Sequence, residues 1–169
     1  DLVVPYLPDE LRNELGYRLV KSNVNDLARK LRASGFTLSY HNHDFEFASE
    51  VDGVDALRYL LDPEQDVLAE IDVYWVKRGG RDPLAYIQPY AGRMPIIHLK
   101  DMTDDEEQTF AEVGTGVIDF LPILEWGEQN GVRWYAVEQD VCNGSPLDSL
   151  QISLHNLHRM ADQLSARRS

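Results

Sequence analysis

The chain carries the sequence TLSYHNHDFEF at residues 37–47, and this stretch decides the fold class. It begins as a β-like run, in which the alternation of side chains puts His41 and His43 on one face of a strand. Leucine-rich helical spacing precedes it over residues 9–35, and a second helical run follows it at residues 54–61. A strand that ends in polar residues between two helices is one unit of a repeating α/β pattern.

The same pattern repeats along the chain. Strands are predicted at residues 2–6, 36–43, 67–75, 94–100 and 132–140. Helices are predicted at residues 9–35, 54–61, 84–90, 121–130 and 146–164. The first helix is expected to be capped by Asp9 and to bury a stripe made of Leu11, Leu15, Leu19, Leu27 and Leu31. Residues 101–116 are expected to form a long acidic loop.

Five strands that alternate with five helices favour a parallel sheet with right-handed crossovers. Such a sheet is either an open, doubly wound sheet or a barrel. No glycine-rich phosphate-binding fingerprint follows any of the strands, so the nucleotide-binding forms of the open sheet lose support.

The composition restricts the class of protein further. The chain is 43% hydrophobic and 27% charged, as in ordinary globular domains, and its formal net charge of −13 disfavours nucleic acid as a partner. No apolar run approaches the length of a membrane span, and no signal peptide is predicted. Its single cysteine, Cys142, cannot form an internal disulfide, which favours a reducing compartment and a cytoplasmic location.

The ends of the predicted strands carry ionisable side chains, which are costly to bury unless they are paired or bind a metal. The pairs on one strand face are His41 and His43, Glu70 and Asp72, His98 and Lys100, and Glu138 and Asp140. Imidazole and carboxylate donors together suit manganese, magnesium, cobalt, zinc or iron(II). Purely structural alternatives also exist: a hydrogen-bonded histidine pair, Asp72 as a turn cap, Glu138 paired with Lys100, and Glu70 in a buried ion pair with a basic residue.

The motifs at these strand ends together resemble one known family. They are YHNHDFEF at residues 40–47, EIDVYW at 70–75, IHLKD at 97–101, VGTGVID at 113–119 and VEQD at 137–140. The combination is similar to the sugar phosphate isomerase/epimerase family of xylose-isomerase-like TIM barrels, which includes inosose dehydratases and AP endonucleases of family 2. The resemblance implies a single TIM (β/α)8 barrel domain over residues 1–169, present as roughly strands four to eight and lacking its N-terminal strands.

The resemblance also implies one divalent metal ion, with Mn²⁺ as the favoured choice. The family binds it through four residues, commonly Glu, Asp, His and Glu. Asp72, His98 and Glu138 match the last three of these, and His41 lies where the first Glu is expected. Trp75 stands where ketose epimerases carry a histidine, which is a second departure from the pattern.

The implied activity is isomerisation or epimerisation of a sugar or keto-polyol by proton transfer next to a carbonyl. Glu138 is the expected base, His43 the acid/base on the other side, and Lys100 the residue that stabilises charge on oxygen. Substrate contacts are expected from Glu46, Trp75, Lys100 and Asp140. Dehydratase or lyase chemistry and a non-catalytic sugar-binding barrel remain alternatives. A small sugar or polyol is the expected partner, without nucleic acid or membrane, and homo-oligomer formation stays open.

Overall fold

A computed structural model describes residues 1–168, and its central element is a curled five-stranded parallel sheet. The strands lie in chain order: β1 (Leu2–Val4), β2 (Leu38–His41), β3 (Leu68–Asp72), β4 (Ile96–Leu99) and β5 (Trp134–Val137). Two short antiparallel hairpins pair Glu50–Val51 with Val54–Asp55 and Asp101–Met102 with Phe110–Ala111. The predicted half-barrel arrangement is therefore confirmed.

Six α-helices connect and cover the described strands. They are α1 (Glu14–Arg32), α2 (Ala56–Leu60), α3 (Val73–Arg78), α4 (Pro83–Ile87), α5 (Phe120–Asn130) and α6 (Pro146–Arg168). Short 3₁₀ turns lie at Asp9–Leu11, Phe45–Ala48 and Gln88–Tyr90. Within residues 1–168, no helix combines the length and the apolar character that a bilayer crossing requires.

The register of the sheet places the strand ends side by side. His41 at the end of β2 is opposite Glu70 of β3, and Asp72 at the end of β3 is opposite His98 of β4. Because parallel strands all end at the same edge of a sheet, the polar ends predicted from the sequence gather on one side. The apolar residues between them form the core.

The first helix differs from the prediction in its start and in its buried face. Asn13, rather than Asp9, caps α1, and its side chain accepts a hydrogen bond from the Gly16 N–H. The buried face of α1 consists chiefly of Tyr17, Val20, Val24 and Ala28. Three of the five predicted stripe residues are exposed: Leu15, Leu19 and Leu27. The stripe prediction is wrong for these three because helical spacing alone cannot choose between two apolar faces that are offset by one or two positions.

Two segments have more local structure than predicted. The strand expected at residues 67–75 ends at Asp72, because the Asp72 carboxylate caps α3 by accepting from the Tyr74 and Trp75 N–H groups. Trp75 therefore lies on a helix. The segment predicted as a loop at residues 101–116 contains the hairpin of Asp101–Met102 with Phe110–Ala111.

The buried carboxylate of Asp101 organises the loop that follows this hairpin. Its two oxygens accept hydrogen bonds from the backbone N–H groups of Met102, Gly114, Gly116 and Ile118. Gly116 is required here, because a Cβ atom would lie 2.1 Å from the Met102 carbonyl oxygen. The VGTG sequence at residues 113–116 thus supplies backbone N–H groups that bind one carboxylate.

We expect Asp101→Ala to lower the free energy of unfolding by about 3 kcal/mol, since several buried N–H groups lose their acceptor. Urea denaturation followed by circular dichroism measures this change. Asp104→Ala, at an exposed position of the same segment, is the matched control and is expected to change stability by less than about 0.5 kcal/mol. Equal stability of the two variants would show that the hydrogen bonds to Asp101 contribute nothing to the free energy of unfolding.

Candidate metal centre

Four side chains from four neighbouring strands converge at the carboxyl edge of the sheet. They are His41 at the end of β2, Asp72 at the end of β3, His98 on β4 and Glu138 immediately after β5. Each offers one donor atom, and these atoms all lie within 4.8 Å of one another. Metal–donor bonds of about 2.0–2.2 Å put neighbouring donors about 3–4 Å apart, so the four donors lie near the spacing that a metal ion requires. The structure thus brings together all four residues of the predicted ligand set.

Asp72 is fully buried and is held by its own backbone surroundings. Its Oδ1 accepts from the Tyr74 N–H at 2.9 Å, and its N–H donates to the Asn42 side-chain oxygen at 2.9 Å. The other oxygen, Oδ2, has no hydrogen-bond partner among the described residues and lies 3.2 Å from the Lys100 ammonium. Burial raises the pKa of Asp72 to about 6, although the charge of Lys100 opposes this. A cation bound at Asp72 Oδ2 would therefore share this oxygen with Lys100.

His98 lies between two carboxylates. Its Nδ1 is 2.9 Å from Glu138 Oε2, and its Nε2 is 2.9 Å from Glu70 Oε1. Burial acts to lower the pKa of His98, but the hydrogen bonds to Glu138 and Glu70 outweigh it and raise the pKa to about 9. The bond from His98 in turn lowers the pKa of Glu138 to about 2, although burial opposes this.

His41 is buried, and its Nδ1 has no hydrogen-bond partner among the described residues. Burial lowers the pKa of His41 to about 3, and the neighbouring His98 and His43 add to this effect. The imidazole is consequently neutral at pH 7, which is the form that binds metal ions. The orphaned buried atoms of His41 and Asp72, in a set of two imidazoles and two carboxylates, fit a divalent cation.

Lys100 places a positive charge among three carboxylates of the same cluster. Its ammonium nitrogen lies 2.8 Å from Asp140 Oδ2, 3.2 Å from Asp72 Oδ2 and 3.3 Å from Glu138 Oε2. Burial acts to lower the pKa of Lys100, but these charges outweigh it and the pKa is raised. The pairing of Glu138 with Lys100, which the sequence suggested as a structural alternative, therefore coexists with the four-residue cluster.

The remaining predicted site residues occupy different environments. The His43 ring stacks on Phe45 with centroids 5.3 Å apart, and it lies 5.1 Å from the His41 ring and 5.3 Å from the Trp75 ring. Burial, and next the charge of Lys100, lowers the pKa of His43. Glu46 is fully enclosed: Tyr40 O–H and His43 N–H donate to its two oxygens, and burial raises its pKa to about 7. Both oxygens of Glu46 are thus engaged within its own turn and strand, and the contact of Glu46 with substrate stays a prediction.

An open cleft of about 660 Å³ lies beside the cluster. Its walls include Tyr74, Trp75, Arg78, Thr103, Phe110 and Asn143. Trp75 and Phe110 connect the cleft to the cluster, because the Lys100 ammonium lies 5.3 Å and 5.4 Å from their ring centres. A smaller cavity of about 310 Å³ lies between α5 and α6, away from the cluster.

The ion pair suggested for Glu70 with a basic residue is formed with His98 of the neighbouring strand. Two further residues of this region, Asn42 and Arg78, were not predicted from the sequence. Asn42 aligns β2 with β3 through its bond to the Asp72 N–H. Arg78 lines the cleft because Val73–Arg78 is a helix rather than the end of a strand, and no pattern in the sequence showed this.

Comparisons with known proteins agree with this geometry. No protein-family model matches the chain. Over 155 residues the chain is 28% identical to an inosose dehydratase of Clostridium beijerinckii, a match that covers 80% of this chain and 52% of that protein. A solved sugar phosphate isomerase/epimerase from Parabacteroides distasonis aligns with a TM-score of 0.75 and 25% identity, over 89% of this chain and 54% of that one.

The resemblance to the sugar phosphate isomerase/epimerase family is confirmed. A xylose isomerase domain protein from Planctomyces limnophilus, with a TM-score of 0.68 and 15% identity over 95% of this chain and 57% of that one, shares the fold alone. The chain spans about half the length of the curated relatives it matches. Its polar cluster lies at the carboxyl ends of the parallel strands, which is where TIM-barrel active sites lie.

Lys100→Met removes the shared positive partner of Asp72, Glu138 and Asp140. Because a buried carboxylate without its partner is strongly destabilising, we expect the free energy of unfolding in EDTA to fall by about 3 kcal/mol. Urea denaturation measures it, and the exposed Lys77→Met is the control, with an expected change below about 0.5 kcal/mol. If Lys100→Met were as stable as Lys77→Met in EDTA, the charge balance described here would be wrong.

Proposed function

We propose that this chain carries the catalytic end of a divalent-metal-dependent sugar isomerase/epimerase, which moves a proton next to a carbonyl group. The observation that carries the proposal is the convergence of His41, Asp72, His98 and Glu138, with buried donor atoms that lack hydrogen-bond partners within the described chain. The similarity to a sugar phosphate isomerase/epimerase and to inosose dehydratases supports a sugar or keto-polyol as the substrate.

The four converging residues would hold the cation. Two imidazole nitrogens and two carboxylate oxygens suit Mn²⁺, and they also accommodate Mg²⁺, Co²⁺, Zn²⁺ or Fe²⁺. When bound, such a cation supplies Lewis acidity that stabilises negative charge on a substrate oxygen.

Three side chains of the chain perform the proton transfer in this proposal. Glu138 is half exposed and ionised, because its pKa is held at about 2, and it accepts the proton from the carbon next to the carbonyl. Lys100 keeps its positive charge and stabilises the oxygen on which negative charge develops. His43, with a lowered pKa, is neutral at pH 7 and serves as the acid/base on the side of the substrate opposite Glu138.

The cleft beside the cluster suits the rest of a sugar. Trp75 and Phe110, which line the cleft, would present flat apolar surface to the C–H face of a sugar ring. Asp140, which accepts a hydrogen bond from Lys100 at 2.8 Å, would bind a hydroxyl group next to the reacting carbon. The net charge of −13 also favours a small neutral substrate over nucleic acid.

Dehydration is the second candidate reaction, since curated relatives of this chain are named inosose dehydratases. The same proton removal by Glu138 leads to loss of a β-hydroxyl group when that group is protonated as it leaves. His43, which lies beside the cluster, would relay this proton to the leaving hydroxyl group in the dehydration.

We also propose that residues 1–169 are part of one larger barrel domain. β1 and β5 are edge strands, each paired on one side only within the described chain, and five strands do not close a barrel of this type. Exposed apolar side chains lie on both flanking helices, including Leu15 and Leu19 of α1 and Leu147 and Leu154 of α6. Further strands and helices of the same protein would cover both edges.

The metal site is tested by elemental analysis of the full-length protein. We expect about one divalent metal ion per chain in the wild type and a loss of at least tenfold in metal content in Asp72→Ala/Glu138→Ala. Asp104→Ala/Glu106→Ala removes two exposed carboxylates as a control and is expected to retain the metal. A wild-type protein that neither contains nor binds added metal contradicts the enzyme proposal and favours a non-catalytic sugar-binding barrel.

The reaction type is tested by incubating the metal-loaded protein with an inosose and with ketoses in D₂O. Isomerisation or epimerisation yields a product of the same formula that carries deuterium from solvent, whereas dehydration yields a product that has lost one water. Mass spectrometry distinguishes the two outcomes. Deuterium exchange that disappears in a Glu138→Gln protein that still contains its metal supports Glu138 as the base, and undiminished exchange in that variant contradicts it.

A further inference from the structure

Glu70 lies beneath the four converging residues and touches two of them. It is on β3, two residues before Asp72, and its side chain is almost completely buried. Its Oε1 is 2.9 Å from His98 Nε2 and 3.8 Å from His41 Nδ1. The two imidazole rings are 4.5 Å apart, but only His98 is within hydrogen-bond distance of Glu70.

An imidazole offers a metal ion only the ring nitrogen that its other contacts leave free. A hydrogen bond from one ring N–H to a carboxylate fixes the tautomer and leaves the opposite nitrogen as the donor. The bond from His98 Nε2 to Glu70 leaves His98 Nδ1, which faces Glu138 at 2.9 Å. His41 Nδ1 lies 3.8 Å from the same carboxylate, beyond hydrogen-bond distance, so Glu70 leaves both ring nitrogens of His41 free.

The contacts of Glu70 do not match those of a carboxylate kept for stability alone. Among the described residues, its ion-pair partners are His41 and His98, with no lysine or arginine among them. Its second oxygen, Oε2, is buried and has no hydrogen-bond partner there. The buried ion pair with a basic residue that the sequence suggested for Glu70 is formed with His98 of the neighbouring strand, and it leaves Oε2 without a hydrogen-bond partner among the described residues.

We propose that Glu70 is a positioning residue that turns His98 Nδ1 toward the cation. This inference rests on the proposed function, because it presupposes a metal at the four-residue cluster. Glu70 itself binds neither the metal nor the substrate. It acts by holding the His98 imidazole in the orientation and tautomer that coordination requires.

The test uses Zn²⁺ as a diamagnetic probe with the full-length protein. Isothermal titration calorimetry gives the zinc affinity, and ¹⁵N-resolved NMR of the histidine side chains gives the tautomers. We expect the zinc-loaded wild type to show His98 with a metal-bound Nδ1 and a protonated Nε2. Glu70→Leu, which removes the acceptor, is expected to weaken zinc binding about 10- to 100-fold and to lose this signature.

Two further variants separate positioning from folding. Glu70→Gln keeps a side-chain oxygen that accepts from His98, so it is expected to restore part of the affinity and the Nε2-protonated form. Asp55→Asn changes a buried carboxylate outside the cluster, where it caps α2 and accepts from the Tyr86 hydroxyl. It is expected to lower stability without changing zinc affinity. If Glu70→Leu does not fold, the zinc affinities of Glu70→Gln and Asp55→Asn are compared instead, and only Glu70→Gln is expected to bind zinc more weakly than the wild type.

The outcomes distinguish this inference from the proposal on which it rests. The positioning role is overturned if the wild type binds zinc and the Glu70 variants keep the same zinc affinity and the same His98 spectrum. The metal site itself would then remain supported. Absence of zinc binding in the wild type overturns the metal site, and the role of Glu70 with it. The inference is supported if zinc affinity falls in Glu70→Leu, recovers partly in Glu70→Gln and stays at the wild-type value in Asp55→Asn.

Discussion

The balance of buried charge at the strand ends is the constraint on which the rest of the structure depends. Lys100 is 1% exposed, Asp72 is fully buried, and the ammonium lies 3.2 Å from the carboxylate. Neither charge is tolerated in the interior alone, so the register of β3 and β4 must keep them together. His98 extends the same balance to Glu70 and Glu138. A slip of one residue would turn each of these groups to the other side of the sheet.

The surrounding structure holds this arrangement from several directions. Asn42 joins the end of β2 to Asp72 through the backbone, and the start of α3 satisfies one Asp72 oxygen. Asp101, one residue beyond Lys100, fixes the loop behind the cluster through four backbone N–H groups. The side chains that face the open side thus rest on a layer of satisfied hydrogen bonds. Such rigid support is what a catalytic or metal site needs in order to hold its donors in place.

The sequence predicts a large part of this arrangement and fails where packing decides. The order of strands and helices follows from alternating apolar runs, and the convergence of His41, Asp72, His98 and Glu138 follows from parallel strands that share one edge. The buried face of α1 could not be predicted, because its leucines and its valines form two apolar stripes of similar strength. The enclosure of Glu46 depends on the turn at Phe45–Ala48, and the contact of Glu70 with His98 depends on the register between β3 and β4. Neither the turn nor the register has a marker in the local sequence.

The central claim is that a divalent cation binds among the four converging residues, beside Lys100 rather than in its place. A crystal structure of the full-length protein with Mn²⁺, with anomalous diffraction collected to locate the manganese, tests it most directly. The account predicts a single anomalous peak about 2.2 Å from donor atoms of His41, Asp72, His98 and Glu138. A peak at another location, or no peak while His98 and Lys100 keep their contacts with Glu138, would contradict it.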